Sequence, residues 1–259
     1  VARANVAACK AELDAASLED LPRLIRRYSK DDREGVRTAV AQARRRLKAE
    51  RAEAERLLSL AELEASLHAQ GFALVAGLDE VGRGALAGPV TAAAVILPDD
   101  TVIPGLDDSK RLGPEKRDEL AVVIQEVAVA WRIAHVSPEE IDALGIAGAT
   151  RRAMSIAFEA LDPRPDHIVV DGRGIGLGVP ETPVVGGDGK VAAIAAASII
   201  AKVARDGLMR SLACDHPHYG FDVNKGYGTS DHMEALATHG LCPLHRRSFT
   251  PCESTSRLF

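Results

Sequence analysis

Asp79 and Glu80 stand side by side at the end of an apolar run, and Val81-Gly82-Arg83-Gly84 follows at once. Two further acids occupy similar places. Asp171 closes the run Ile168-Val169-Val170, and Asp188 lies in a glycine turn after Pro183-Val184-Val185. Four carboxylates at strand ends and turns are hard oxygen donors. They suit Mg²⁺ or Mn²⁺ better than zinc. Two such ions about 4 Å apart activate water and stabilise a leaving oxygen in phosphodiester hydrolysis. The flanking glycines let backbone approach a phosphate, and Arg83 adds a guanidinium. Adjacent strand residues point to opposite faces, so Asp79 and Glu80 serve one site only at a strand's frayed or twisted end, or where a metal pair sits at its edge.

Two nucleotide-binding readings fail on context. Gly82-Arg83-Gly84-Ala85-Leu86-Ala87 has the spacing of a dinucleotide fingerprint, but Gly88-Pro89 follows where a helix must open. Gly186-Gly187-Asp188-Gly189-Lys190 lacks the first glycine of a phosphate-binding P-loop, and Val191 replaces its Ser or Thr.

The elements that must position these groups follow from pattern. The run Phe72–Leu78 reads as a strand leading into Asp79, and Val90–Leu97 as a second strand stopped by Pro98. A helix end and then a strand, Trp131–Val136, fall within Ala121–Val136. Ser137-Pro138-Glu139-Glu140 opens a helix: a capping serine, proline at the first position and acids in the first turn. His167–Val170 reads as a buried strand, Val191–Arg210 as a buried Ala-rich helix, and Ser230–His239 as a short helix stopped by Gly240. Strands that come first and then alternate with helices define an α/β domain with a mixed sheet.

Residues 1–70 form a separate helical extension ahead of a domain over 71–259. Val36, Val40, Ala43 and Leu47 make one helical stripe, which Leu57, Leu58, Leu60, Leu63 and Leu67 continue toward Gly71. The extension carries a net +2 and the remainder −7, within a total of −5, and residues 23–51 hold 11 basic side chains against four acids. Such a face is ordinarily solvated. It can also add an accessory nucleic-acid contact to an acidic chain.

The whole chain of 259 residues is 46% hydrophobic and 27% charged, enough for a core without disulfides. No apolar run reaches the roughly 18 residues of a membrane span. Cys9, Cys214, Cys242 and Cys252 are scattered, which fits a reducing, cytoplasmic setting.

Asp79-Glu80-Val81-Gly82-Arg83-Gly84 with Leu86-Ala87-Gly88-Pro89-Val90 resembles the opening signature of bacterial ribonuclease HII. The resemblance continues in order through Leu106-Asp107-Asp108-Ser109-Lys110, Val170-Asp171-Gly172 and Gly187-Asp188-Gly189-Lys190. It runs on through Ala195–Asp206, Lys225-Gly226-Tyr227-Gly228-Thr229, His232 and His245-Arg246-Arg247-Ser248-Phe249, covering about residues 71–250. It implies an RNase H-like mixed β-sheet flanked by helices, with a small helical C-terminal part. It implies metal-dependent hydrolysis of RNA in RNA–DNA hybrids, and a cut 5′ of a single ribonucleotide in duplex DNA that leaves 3′-hydroxyl and 5′-phosphate ends.

Asp79, Glu80, Asp171 and Asp188 match the family's catalytic, metal-holding carboxylates, with Asp79 expected to bridge the two ions. Ribonucleotide sensing maps onto Gly82, Arg83, Gly84 and Tyr227, since backbone and guanidinium groups can hold a 2′-hydroxyl and a tyrosine ring can stack on the next sugar. Lys110 is a candidate phosphate contact. Lys202 and Arg205 are weaker ones, because long helical side chains often only support a site. Asp206 also lies in a matched segment, but Asp188 is the favoured fourth acid. Ala85 departs from the proline of many relatives. A monomer is expected. Two other readings are a catalytically idle hybrid-binding protein and a zinc-stabilised module built on Cys214, His216, His218, Cys242 and His245, whose spacings are irregular.

Overall fold

A computed structural model of the chain describes residues 5–252. It divides into two compact units after Leu58, a boundary that falls within a long helix.

The first unit is helical: α1 (Val6–Ala15), α2 (Leu21–Tyr28) and the first part of α3 (Glu34–Ala69). Asn5 caps α1, its Oδ1 accepting from Ala8 N at 2.7 Å. Cys9, Leu13, Leu21, Leu24 and Tyr28 close on the expected stripe Val36, Val40 and Ala43. Farther along α3, Leu60, Glu64 and Leu67 are buried at spacings of four and three, whereas Leu58 is 61% exposed. A run of leucines exceeds one helical face, and Leu58 falls off it.

The second unit is built on a five-stranded sheet of order β3-β2-β1-β4-β5. Its strands are β1 (Val75–Val81), β2 (Val90–Ile96), β3 (Ala130–Val136), β4 (His167–Asp171) and β5 (Glu181–Val184). β1 is antiparallel to β2, and β2 to β3, while β4 runs parallel to β1, and β5 to β4. The sheet is mixed, as expected. α5 (Pro138–Glu159) covers one face and α6 (Ala192–Asp215) the other. The Ser137–Glu140 capping box opens α5, with Ser137 Oγ accepting from Glu140 N at 3.2 Å. A left-handed residue, Gly145, kinks the helix one turn later.

α6 lies so near β1 that a Cβ on Gly77 would overlap the backbone of Ala193. This close approach explains the alanines of α6: Ala193, Ala195, Ala196, Ala197 and Ala201 are fully buried. Outside the sheet lie α4 (Pro114–Val127), of which only the end was foreseen, and a C-terminal group of α7 (Phe221–Asn224) and α8 (Ser230–His239). Met209, Tyr219, Phe221 and Leu236 form the core of that group.

The first strand departs from expectation. It starts at Val75, because Ala73 N and Leu74 N donate to the Asp166 carboxylate instead of entering the sheet. It also runs past Leu78, with Asp79 opposite Ala93, Glu80 opposite Ala92 and Val81 opposite Thr91. Both acids therefore belong to the strand.

Candidate active site

Leu78 pairs with Val170 in the parallel ladder, so Asp79 and Asp171 are the next residues on adjoining strands. Ala76 and Leu78 pack against the α5 side. By alternation Asp79 faces α6 and Glu80 faces α5. Asp79 is 4% exposed. It accepts a hydrogen bond from Ser198 on α6 and one from Glu80 N at 2.7 Å. Ser198 Oγ lies 2.9 Å from Ser109 Oγ, which ties the loop before α4 to the same place. Glu80 Oε1 accepts from Arg83 at 3.0 Å. Asp171 accepts from Gly187 N at 2.7 Å, which fixes the turn that carries Asp188. Asp188 sits in one turn of 3₁₀ helix, Gly187–Gly189, just ahead of α6, and Lys110 Nζ donates to its Oδ2 at 2.7 Å.

Burial pushes the Asp79 carboxyl well above its usual range, and the charges of Glu80 and Asp171 push it further. Burial also raises Glu80, against the pull of Arg83, and Asp171 adds to the rise. Strands β1 and β4 and the turn before α6 thus gather the acids at one end of the sheet. Among the described residues, no group of three or more His, Cys, Asp or Glu side chains is placed to hold a metal ion as the side chains stand. As they stand, Glu80 is turned to Arg83 and Asp188 to Lys110.

The turn after β1 is built around a buried arginine. Gly82 has φ +86°, and a Cβ there would run into the Arg205 side chain. Arg205 is fully buried and donates to the carbonyls of Pro89 at 2.9 Å, Lys225 at 2.9 Å and Ala87 at 3.1 Å. Its guanidinium carbon lies 5.5 Å from the centre of the Tyr227 ring. Gly226 O accepts from Leu86 N at 2.7 Å. Arg205 therefore links the Gly82 turn to Tyr227. Arg83 and Gly84 are exposed in that turn. Asp206 pairs instead with Lys202 at 2.8 Å.

Sequence reading missed Arg246. It is fully buried and donates to Gly88 O at 2.9 Å and Arg83 O at 2.9 Å, tying the C-terminal segment to the same turn. Its place in a matched segment was the only signal, because the carbonyls it collects come from distant parts of the chain. The groups considered for zinc are engaged elsewhere. His245 Nε2 lies 3.0 Å from His232 Nε2, His218 stacks on His239, and Cys214 is exposed beside Arg210 O.

The architecture is ribonuclease H-like. The ribonuclease H2 of Pyrococcus horikoshii OT3 superposes with a TM-score of 0.61 at 24% identity, over 71% of this chain and 98% of that one. A chain of the PCNA:RNase HII complex from Archaeoglobus fulgidus gives 0.57 at 26% identity, over 68% and 95%. A model of ribonuclease HII matches residues 76–252, and one of the ribonuclease HII N-terminal domain matches residues 5–68. The ribonuclease HII of Moorella thermoacetica is 53% identical over 204 residues, 78% of this chain and 99% of its own. That of Geobacillus kaustophilus is 48% identical over 221 residues, 85% of each chain. The chain belongs to the ribonuclease HII family and is an enzyme of the ribonuclease H class. No helix among the described residues is long and apolar enough to cross a membrane.

Proposed function

We propose that this enzyme hydrolyses the RNA of RNA–DNA hybrids and cuts duplex DNA on the 5′ side of a single embedded ribonucleotide, leaving 3′-hydroxyl and 5′-phosphate ends. The observation that supports the reading is the placement of Asp79, Glu80 and Asp171 on adjoining strands, with Asp188 in the turn that Asp171 holds, at the end of the sheet that carries the Gly82-Arg83-Gly84 turn. In this reading the enzyme acts as a cytoplasmic monomer that clears ribonucleotides and RNA primers from DNA.

By donor type the set suits a divalent metal, which would have to draw Glu80 from Arg83 and Asp188 from Lys110. The set offers only hard oxygens, and buried carboxylates that raise one another's proton affinity are relieved by a cation. Asp79, Glu80, Asp171 and Asp188 would hold Mg²⁺ or Mn²⁺. When bound, such ions supply Lewis-acid stabilisation of charge developing on the phosphodiester. The remaining work falls to the chain. Arg83 and the backbone of Gly82 and Gly84 hold the 2′-hydroxyl, the group that separates RNA from DNA. Tyr227 stacks on the neighbouring sugar, and Arg205 keeps it in register with the turn. Lys110 contacts phosphate, which positions the duplex without reading sequence.

The helical first unit adds an accessory backbone contact. Arg26, Arg44, Lys48 and Arg51 border a cavity of about 650 Å³ with Ile25 and Leu47 on its wall.

The test is cleavage of an end-labelled DNA duplex carrying one ribonucleotide, with Mg²⁺ or Mn²⁺, beside an all-DNA duplex and an Asp79→Asn variant. One metal-dependent cut 5′ of the ribonucleotide, lost by about 10³-fold in the variant, is expected. No cut with either metal by folded protein that still binds the duplex would leave a hybrid-binding protein instead.

A further inference from the structure

On the α5 side of the sheet the carboxylate end opens into a cavity of about 700 Å³. Glu80 and Asp171 form part of its wall, and Arg83, Arg151 and Arg173 are also in it. The three arginines are not equivalent. Arg83 is paired with Glu80. Arg151, on α5, and Arg173, two residues beyond Asp171, are exposed and have no hydrogen bond or ion pair among the described residues.

Their roots are held firmly. Arg173 is the second residue of the loop Gly172–Gly178, whose Ile175 and Leu177 pack against the core beneath α5. The Glu181 carboxylate accepts from Ile175 N and Gly176 N, each at 3.0 Å, and so clamps the loop backbone. A Cβ on Gly176 would stand 3.6 Å from the Arg151 guanidinium, so Arg151 lies over this same loop. Two guanidiniums without a partner among the described residues, one on an α-helix and one on a clamped loop, thus share a cavity with two of the four acids. Guanidiniums are built for phosphate oxygens. A polyanion that reaches this acidic end of the sheet meets repulsion, and fixed positive charge beside the acids offsets it.

We propose that Arg151 and Arg173 form a phosphate-binding rail that receives the backbone of the strand being cut, at phosphates flanking the scissile bond. The ligand is a nucleic-acid phosphodiester, bound without regard to base or sugar. This inference rests on the ribonuclease reading above.

The test measures duplex binding against KCl concentration, by fluorescence anisotropy without added divalent metal, for the full chain. Each phosphate contact contributes about 0.9 to the slope of log K against log salt. The Arg151→Ala/Arg173→Ala double variant is expected to lose about 1.8 of that slope. The loss is the same for an all-DNA duplex and for one carrying a ribonucleotide. Under cleavage conditions KM rises about 10-fold or more while kcat changes little. Arg151→Lys/Arg173→Lys restores most of the slope, since an ammonium supplies the charge. Arg152→Ala, an exposed neighbour outside the cavity, leaves the slope unchanged.

An unchanged slope in the folded double alanine variant overturns the rail. So does a loss confined to the ribonucleotide duplex. If the wild type binds but makes no cut, the ribonuclease reading fails while the slope still decides the rail. If the wild type does not bind either duplex, both fail.

Discussion

Lys110 Nζ stands 2.7 Å from Asp188 Oδ2, joining the loop before α4 to the turn before α6. The bond to Asp188 raises the Lys110 pKa, and the charges of Asp108 and Asp79 add to the rise. The lysine side chain is 78% exposed, so the pair contributes little to stability. Its value is positional, as a cation beside the acids. Lys110→Ala is expected to shift unfolding free energy by no more than about 1 kcal/mol. KM for the duplex should rise about 10-fold, the cost of one charge-assisted hydrogen bond. The metal concentration for half activity should fall, because Asp188 loses a competing cation. Steady-state cleavage against Mg²⁺ and against substrate measures both.

The two glycines that flank Arg83 separate folding from function. Gly82 combines φ +86° with a Cβ position occupied by the buried Arg205 side chain. Gly82→Ala should destabilise by roughly 2–5 kcal/mol, the sum of backbone strain and overpacking. A Cβ on Gly84 meets nothing within 4 Å. Gly84→Ala should leave the melting temperature within about 2 °C of wild type, as expected for under 1 kcal/mol. A loss of ribonucleotide cleavage in Gly84→Ala would then report substrate approach. Thermal melts beside cleavage assays check the pair.

Glu64 gives stability a pH dependence. It is buried on α3 and accepts from Ala193 N at 3.3 Å, at the start of α6. Burial raises its pKa to about 7, against those backbone bonds. The folded state therefore holds its proton more tightly than the unfolded state. Its contribution is full below the unfolded value near 4.5, is lost as pH rises from about 4.5 to 7, and is flat above. Glu64→Gln should gain stability relative to wild type across that window, by up to about 3 kcal/mol at pH 8. Urea unfolding of both proteins at pH 5 and pH 8 is the measurement, and an equal difference at the two pH values would reject it.

A neutral histidine relay acts in the opposite sense. Cys242 N donates to His245 Nδ1 at 2.9 Å, so His245 Nε2 carries the proton and donates to His232 Nε2 at 3.0 Å. His232 Nδ1 then donates to Tyr227 O at 2.9 Å. Burial lowers the His245 pKa to about 4, helped by His232. The relay is intact above the unfolded value near 6.5, and its stabilisation is lost as pH falls from about 6.5 through 4. A His245→Phe variant should start less stable at pH 7.5 and show a flatter acid decline than wild type. Comparing each variant with wild type isolates this effect from that of Glu64.

By itself the sequence determined the family resemblance and the types of most elements. Acids at the ends of apolar runs, the glycine turn after β1, the capped start of α5 and the alanines of α6 are local features, written in neighbouring residues. The sheet's mixed character followed from the order of those elements. What only the tertiary structure decided is which groups meet. Register in the β1–β2 ladder carries both Asp79 and Glu80 into the strand, and alternation then sends them to opposite faces. Asp188 joins the acids because Gly187 N bonds to Asp171. Arg205, in sequence a weak candidate for phosphate, and Arg246, only a member of a matched segment, are both buried, because carbonyls from Ala87, Gly88 and Pro89 converge on them. A hydrogen bond between residues a hundred positions apart leaves no periodicity in the chain, so its existence is a property of the packed fold alone.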